Sequence, residues 1–154
     1  MEEINLKNLV KEIVEKATAL KNKYTDEKHA PVNYACVFSQ NDEEFNILSA
    51  SAKQIGDVIK ETPTGPLFHI LPLDTVSGQL KLLKIRQADK TRPERGDADF
   101  TVDAYQDFKK KHISQDIFKL IKKDDFEMIE LMESGYDVRA YFSNPPLDKQ
   151  LNIN

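Results

Sequence analysis

The sequence predicts an α+β chain in which two consecutive βαβββ units follow an amino-terminal amphipathic helix. Three observations lead there. Apolar residues recur every three or four positions over 6–20; β-prone runs and turn clusters then follow in the order strand, helix, strand, strand, strand; and beyond the polar connection ADKTRPERG that order starts again. The units share no obvious residue identity, so the repeat is one of order and length. A chain of 154 residues is expected to hold one core. Its expected limits are a single domain 1–154, with helix and linker at 1–30, units at 31–88 and 96–143, and a tail at 144–154.

The leading helix aligns Leu6, Leu9, Val10, Ile13, Val14, Ala17 and Leu20 on one face, with Glu12 and Lys16 in the favourable i, i+4 order on the other. After Pro31, VNYACVFSQ is rich in β-branched and aromatic residues. Asn41 with Glu44 then forms a capping signal for a helix carrying Phe45, Leu48, Ala52 and Ile55, with Gly56 as its C-terminal glycine. DVIKET, PLFHILPL and QLKLLKIRQ follow as strands separated by Pro-Thr-Gly-Pro and Asp-Thr-Val-Ser-Gly turns. In the second unit GDADFTV is a strand, Asp103 caps the helix DAYQDFKKKH, FKLIKK and FEMIELM form a hairpin, and YDVRAYF closes the unit.

Composition excludes several classes. Charged residues make 31% of the chain and hydrophobic ones 40%, with a net charge of -4, so a nucleic-acid or anionic-membrane partner is not expected. The basic stretch from Lys81 to Arg95 lacks aromatic residues and reads as a solvated hinge rather than a nucleic-acid groove. One cysteine, Cys36, excludes an internal disulfide and a cysteine-rich zinc site, and its apolar neighbours suggest an inert thiol. No apolar run is long enough to cross a membrane and no secretory signal opens the chain, so a cytoplasmic location is expected. Glycine-rich phosphate loops, Gly-x-Ser-x-Gly elbows and His-Glu-x-x-His helices are missing. His29 and His112 sit in polar sequence that suggests exposure.

Two consecutive βαβββ units over about 32–143 resemble the vicinal oxygen chelate superfamily, the glyoxalase and extradiol dioxygenase fold. The leading helix, PLFHILPL with QLKLLKIRQ, and YDVRAYFSNPPL also resemble a small bacterial branch typified by the YecM protein. The resemblance implies an open barrel that cups a metal and its ligand. In metal-dependent relatives the first strand of each unit usually carries histidine or another good ligand, and the closing strand supplies a carboxylate.

Strand alternation suggests which side chains would enter such a cup. Taking the bulkier set as helix-facing puts Tyr34, Cys36 and Phe38 outward and Asn33, Ala35, Val37 and Ser39 inward; in the second unit Asp97, Asp99 and Thr101 turn inward. Asn33 and Asp97 then occupy equivalent places. The closing strands bring Lys84 and Arg86, then Arg139 and Tyr141, where the relatives have acids. Cations do not ligate a metal, so a divalent metal is not favoured, although Asp97 and Asp99, with His69 near by, could hold a hard cation through oxygen. The alternative is that both aspartates pair with Lys84, Arg92 or Arg95.

The expected function is therefore small-molecule binding, with Asn33, His69, Lys84, Arg86 and Arg139 gripping an anionic or oxygen-rich ligand. If chemistry follows, it is of lyase or isomerase type, with Asp97 or Asp99 as general base beside a carbonyl and Lys84 or Arg86 stabilising an oxyanion. A binding or interaction module that has lost its metal is the alternative. The tail residues Leu147, Leu151 and Ile153 would dock across the barrel mouth or join a dimer contact. A homodimer is expected, with the leading helix or the tail at the contact; the alternative is that both helix and tail fold back on their own barrel.

Overall fold

The computed structural model describes residues 5–153, so the expected limits at 1–4 and 154 lie outside it. Helix α1 (Leu6–Tyr24) leads into β1 (Val32–Phe38), α2 (Asp42–Lys53), β2 (Gly56–Thr62), β3 (Gly65–Thr75) and β4 (Gly78–Arg86). The second unit is β5 (Gly96–Phe100), α3 (Tyr105–His112), β6 (Phe118–Lys122), β7 (Glu127–Leu131) and β8 (Val138–Asn144), followed by the short helix α4 (Leu147–Gln150). Both units have the expected order.

All eight strands form one open sheet, ordered β2-β3-β4-β1-β5-β8-β7-β6. Each unit closes by returning its last strand parallel to its first, β4 on β1 and β8 on β5, and the two first strands join the halves antiparallel. One face of this sheet is covered by helices. Val10, Ile13, Val14, Ala17 and Leu20 of α1 pack with Ala35 and Val37 of β1 and Ala98 and Phe100 of β5, while Leu48 and Ala52 bring α2 onto the same core. Each such buried Leu, Ile or Val stabilises by about 1.5–3 kcal/mol relative to exposure. The seam under α1 needs small residues: a Cβ on Gly96 would meet the Cys36 carbonyl and stand 2.8 Å from Ile13 Cδ1.

The differences from the sequence reading are local. Helix α1 runs past residue 20 because Lys21, polar by type, buries its stem and sends its ammonium to the Glu27 carbonyl at 2.5 Å, 5.1 Å from the centre of the Phe100 ring. Gly56 does not end α2; it opens β2, where any Cβ would strike the backbone of His69 and Ile70. Asp103 does not cap α3, whose N-cap is Ala104 without a side-chain bond. The buried Tyr105 fixes that end instead, its hydroxyl donating to Glu127 at 2.8 Å. His112 is buried rather than exposed, stacked on Phe118 with ring centres 4.8 Å apart and beside Phe108.

Candidate functional site

The face of the sheet opposite α1 and α2 is concave. Lys60 and Thr62 on the edge strand β2 and Asp125 and Phe126 at the turn before β7 line one cavity of about 650 Å³, so the two ends of the sheet curve toward each other. Its floor takes Lys84, Tyr34, Asp99 and Ser143 from the adjacent central strands β4, β1, β5 and β8. Leu67 lies opposite Lys84 and Met128 opposite Ser143, which makes the flanks apolar. The tail crosses above them with Pro145, Leu147 and Leu151, the docked arrangement of the two the sequence allowed.

Register decides which side chains reach this face. Directly paired residues point the same way, and β1 pairs with β5 as Tyr34 with Asp99 and Cys36 with Asp97. Tyr34, Cys36 and Phe38 therefore face the cup, and Ala35 and Val37 face the helices, the reverse of the expectation from bulk. The reason is the crossing of α1, whose close approach demands Ala35, Val37, Gly96 and Ala98 beneath it. A break in register between Val32 and Tyr34 then turns Asn33 out of the alternation. Asn33 is not the counterpart of Asp97: its Oδ1 accepts the Asp148 amide at 3.1 Å and secures α4.

One rung of the sheet now reads Lys84, Cys36, Asp97, Arg139 across four strands, with Asp99 and Tyr141 on the next. Lys84, Arg86, Asp97, Asp99 and Arg139 thus share one face, as expected, but their states differ. Arg139 is buried and engaged, at 3.0 Å from Glu94 and 3.3 Å from Glu130, while Tyr141 donates to Glu130 at 2.6 Å. Arg86 is tied to Asp89 at 3.4 Å. Lys84 has no carboxylate at ion-pair distance among the described residues and donates to the Thr64 hydroxyl at 2.5 Å. His69 is exposed on β3, paired with Asp57 and Leu82, and does not line the cavity.

The two aspartates are buried, at 8% and 4% exposure, and neither forms an ion pair among the described residues. Arg95 binds Glu44 at 2.5 Å and Arg92 reaches Tyr141 at 3.4 Å, so the expected aspartate pairings are replaced by others. Burial, followed by the charge of Asp99, pushes the Asp97 carboxyl up to about 7, against the opposing pull of Arg92, Lys84 and Arg139. Burial raises Asp99 to about 6, and the amide and hydroxyl of Ser143, which both donate to it, hold it from going higher. Burial also lifts the Cys36 thiol far above its ordinary range, and raises Tyr34 so that its hydroxyl stays protonated.

This donor set does not fit the metal that the family resemblance implies. The central rung alternates cation, thiol, carboxylate and cation, and among the described residues no three His, Cys, Asp or Glu side chains gather to hold an ion. Sequence reasoning missed Tyr34, Ser143, Met128 and the Tyr141–Glu130 pair. A symmetric pairing of the two first strands, forced by the repeat, is the signal that could have placed Tyr34 beside Asp99.

No family model and no curated protein matches the chain. Among solved structures, one described as "Structural Genomics, Protein EC4020" is similar with a TM-score of 0.64 at 9% sequence identity, over 93% of this chain and 92% of that one. A glyoxalase/bleomycin resistance protein/dioxygenase superfamily member from Vibrio splendidus 12B01 matches 74% of this chain and 97% of its own, with a TM-score of 0.45 and 9% identity. No described helix is long and apolar enough to cross a membrane. The chain shares its fold with the first of these structures: two βαβββ units in one open sheet, with their first strands side by side at its centre.

Proposed function

We propose that the cup binds a small anionic or oxygen-rich molecule without a metal. The observation that carries this reading is Lys84, a half-buried cation in the wall of a 650 Å³ cavity that lacks a carboxylate partner among the described residues. An acid or enolate oxygen would supply the missing counter-charge. Of the residues expected to grip a ligand, Arg86 and Arg139 hold protein carboxylates, so Lys84 takes the main share. If the bound molecule reacts, Asp99 is the base within reach and Lys84 the oxyanion partner for proton abstraction beside a carbonyl. Binding without chemistry is favoured by the two hydrogen bonds from Ser143, which occupy Asp99.

Thermal shift in chelator, with a panel of small acids, tests the site. At least one acid should raise the midpoint of the wild type and leave Lys84→Met unmoved; equal shifts in both proteins would refute the assignment. Metal analysis of protein purified without chelator is expected to find no stoichiometric manganese, iron, nickel or zinc, and finding one would restore the metalloenzyme reading. A cytoplasmic homodimer remains part of the proposal. Because α1 packs on its own sheet and the tail on its own cup, neither is free for the expected contact, and exposed Leu71, in the register break of β3, and Val76, in the β3–β4 turn, are the contact it would use. A sedimentation mass fixed at 17.7 kDa at all concentrations would exclude it.

A further inference from the structure

We infer that the ligand of the cup is an amphipathic monocarboxylate, an acid group on an apolar body of medium length, held head-down on Lys84 and Tyr34. The inference rests on the binding role proposed above and names its ligand class. Charge sets the head. Within the cavity lining the cations are Lys84 on the floor and Lys60 at the exposed rim, and the carboxylates are Asp99 on the floor and Asp125 at the rim. A single carboxylate can reach Lys84 and accept from the Tyr34 hydroxyl, whose neighbour on the cup face is the Cys36 thiol. A second anionic group on the floor would sit against Asp99, which disfavours di- and tricarboxylates.

The walls set the body. Leu67, Phe126 and Met128 flank the floor and Leu147 and Leu151 roof it. None offers a side-chain hydrogen-bond donor, and the polar lining groups Thr62, Ser143 and Gln150 already donate to Gly65, Asp99 and Pro145, so a sugar or polyol would find few free partners, while an alkyl or aryl body removes apolar surface from water on both sides. The volume of about 650 Å³ is in the usual range for small-ligand sites. The roof is anchored independently of the ligand: Asn33 holds the Asp148 amide, and Ile153 reaches a small hollow beside Val32 and Leu82. The apolar walls are therefore in place before anything binds, which lowers the ordering cost of binding.

Calorimetry and thermal shift of the full chain in chelator, with octanoate, octanol, octylamine, acetate and citrate as probes, test this. Octanoate should bind about tenfold or more tighter than octanol or acetate, and octylamine should be weakest. Lys84→Met should lose about tenfold or more for octanoate while keeping its weak octanol affinity, and Leu151→Asp should lose octanoate while Lys84 is intact. Lys84→Gln serves in place of Lys84→Met if that variant does not fold. Octanol binding as tightly as octanoate, or octanoate affinity surviving the loss of Lys84, would overturn the inference. Citrate or acetate binding in place of octanoate would overturn it and leave the broader binding role standing. Absence of binding by every acid would remove both.

Discussion

The two βαβββ units share a backbone plan and differ in what they do with charge. In the first unit the cup-facing row runs Tyr34, Cys36, Phe38 and Lys84, and the last of these ends at a hydroxyl rather than an acid. In the second, Arg139 lies between Glu94 and Glu130, Tyr141 donates to Glu130, and Ser143 donates to Asp99. One half of the cup is closed on itself and the other is open. Repetition of fold therefore divides the labour: the second unit's polar groups hold the sheet, and the first unit's cation is left for a ligand.

The sharpest way to break this comparison is to remove the matching cation from each half. Arg139→Met leaves the buried Glu130 and the half-buried Glu94 without their cation and should cost about 3–5 kcal/mol in urea unfolding. Lys84→Met replaces a half-buried cation that burial already disfavours, and should change stability by less than about 1 kcal/mol in either direction. Equal losses in the two variants would show that both halves are structural.

The next effect lies in pH. Asp97 and Asp99 are raised to about 7 and about 6 from an ordinary 3.8, so between these values and 3.8 the folded chain binds more protons than the unfolded one. Their contribution is therefore fullest at acid pH and is lost as pH rises toward 7. Asp97→Asn lacks that slope and should become the more stable protein near pH 7.5, on the order of 2 kcal/mol ahead of its position at pH 4. A gap that narrows as pH rises would contradict the burial of an ionisable Asp97. The smallest effect concerns Cys36. Buried, with a thiol lifted far above its ordinary range, it should resist alkylation in the native state and react fully once urea unfolds the chain. Rapid native labelling would place it in open solvent.

Both units were readable from the sequence because turn chemistry and hydrophobic period mark strands and helices locally. Side assignment was readable in β5, where Asp97 and Asp99 alternate with Ala98 and Phe100. It was not readable in β1, where bulk misleads: a helix lying close over the sheet selects small residues beneath it, and the large ones turn to the cup. Asn33 was misplaced by a one-residue break in register, and His112 by the lysines around it, which hide that Phe108 and Phe118 enclose its ring. Which cations are free depends on partners distant in sequence. Glu44 for Arg95 and Glu94 for Arg139 are choices made only by the folded sheet.

Helix α1 precedes the first unit in the chain, yet it packs on β5 and β8 of the second as well as on β1 and β3. A cut in the 87–95 connection would thus leave two fragments that each lack part of their apolar cover. Each should stay largely unfolded alone and regain structure on mixing, because the fragment carrying α1 brings the lid for its partner's core. The repeat visible in the sequence is for that reason not the unit of cooperativity: the chain should lose its structure in a single transition, with α1 as the clasp that couples the halves.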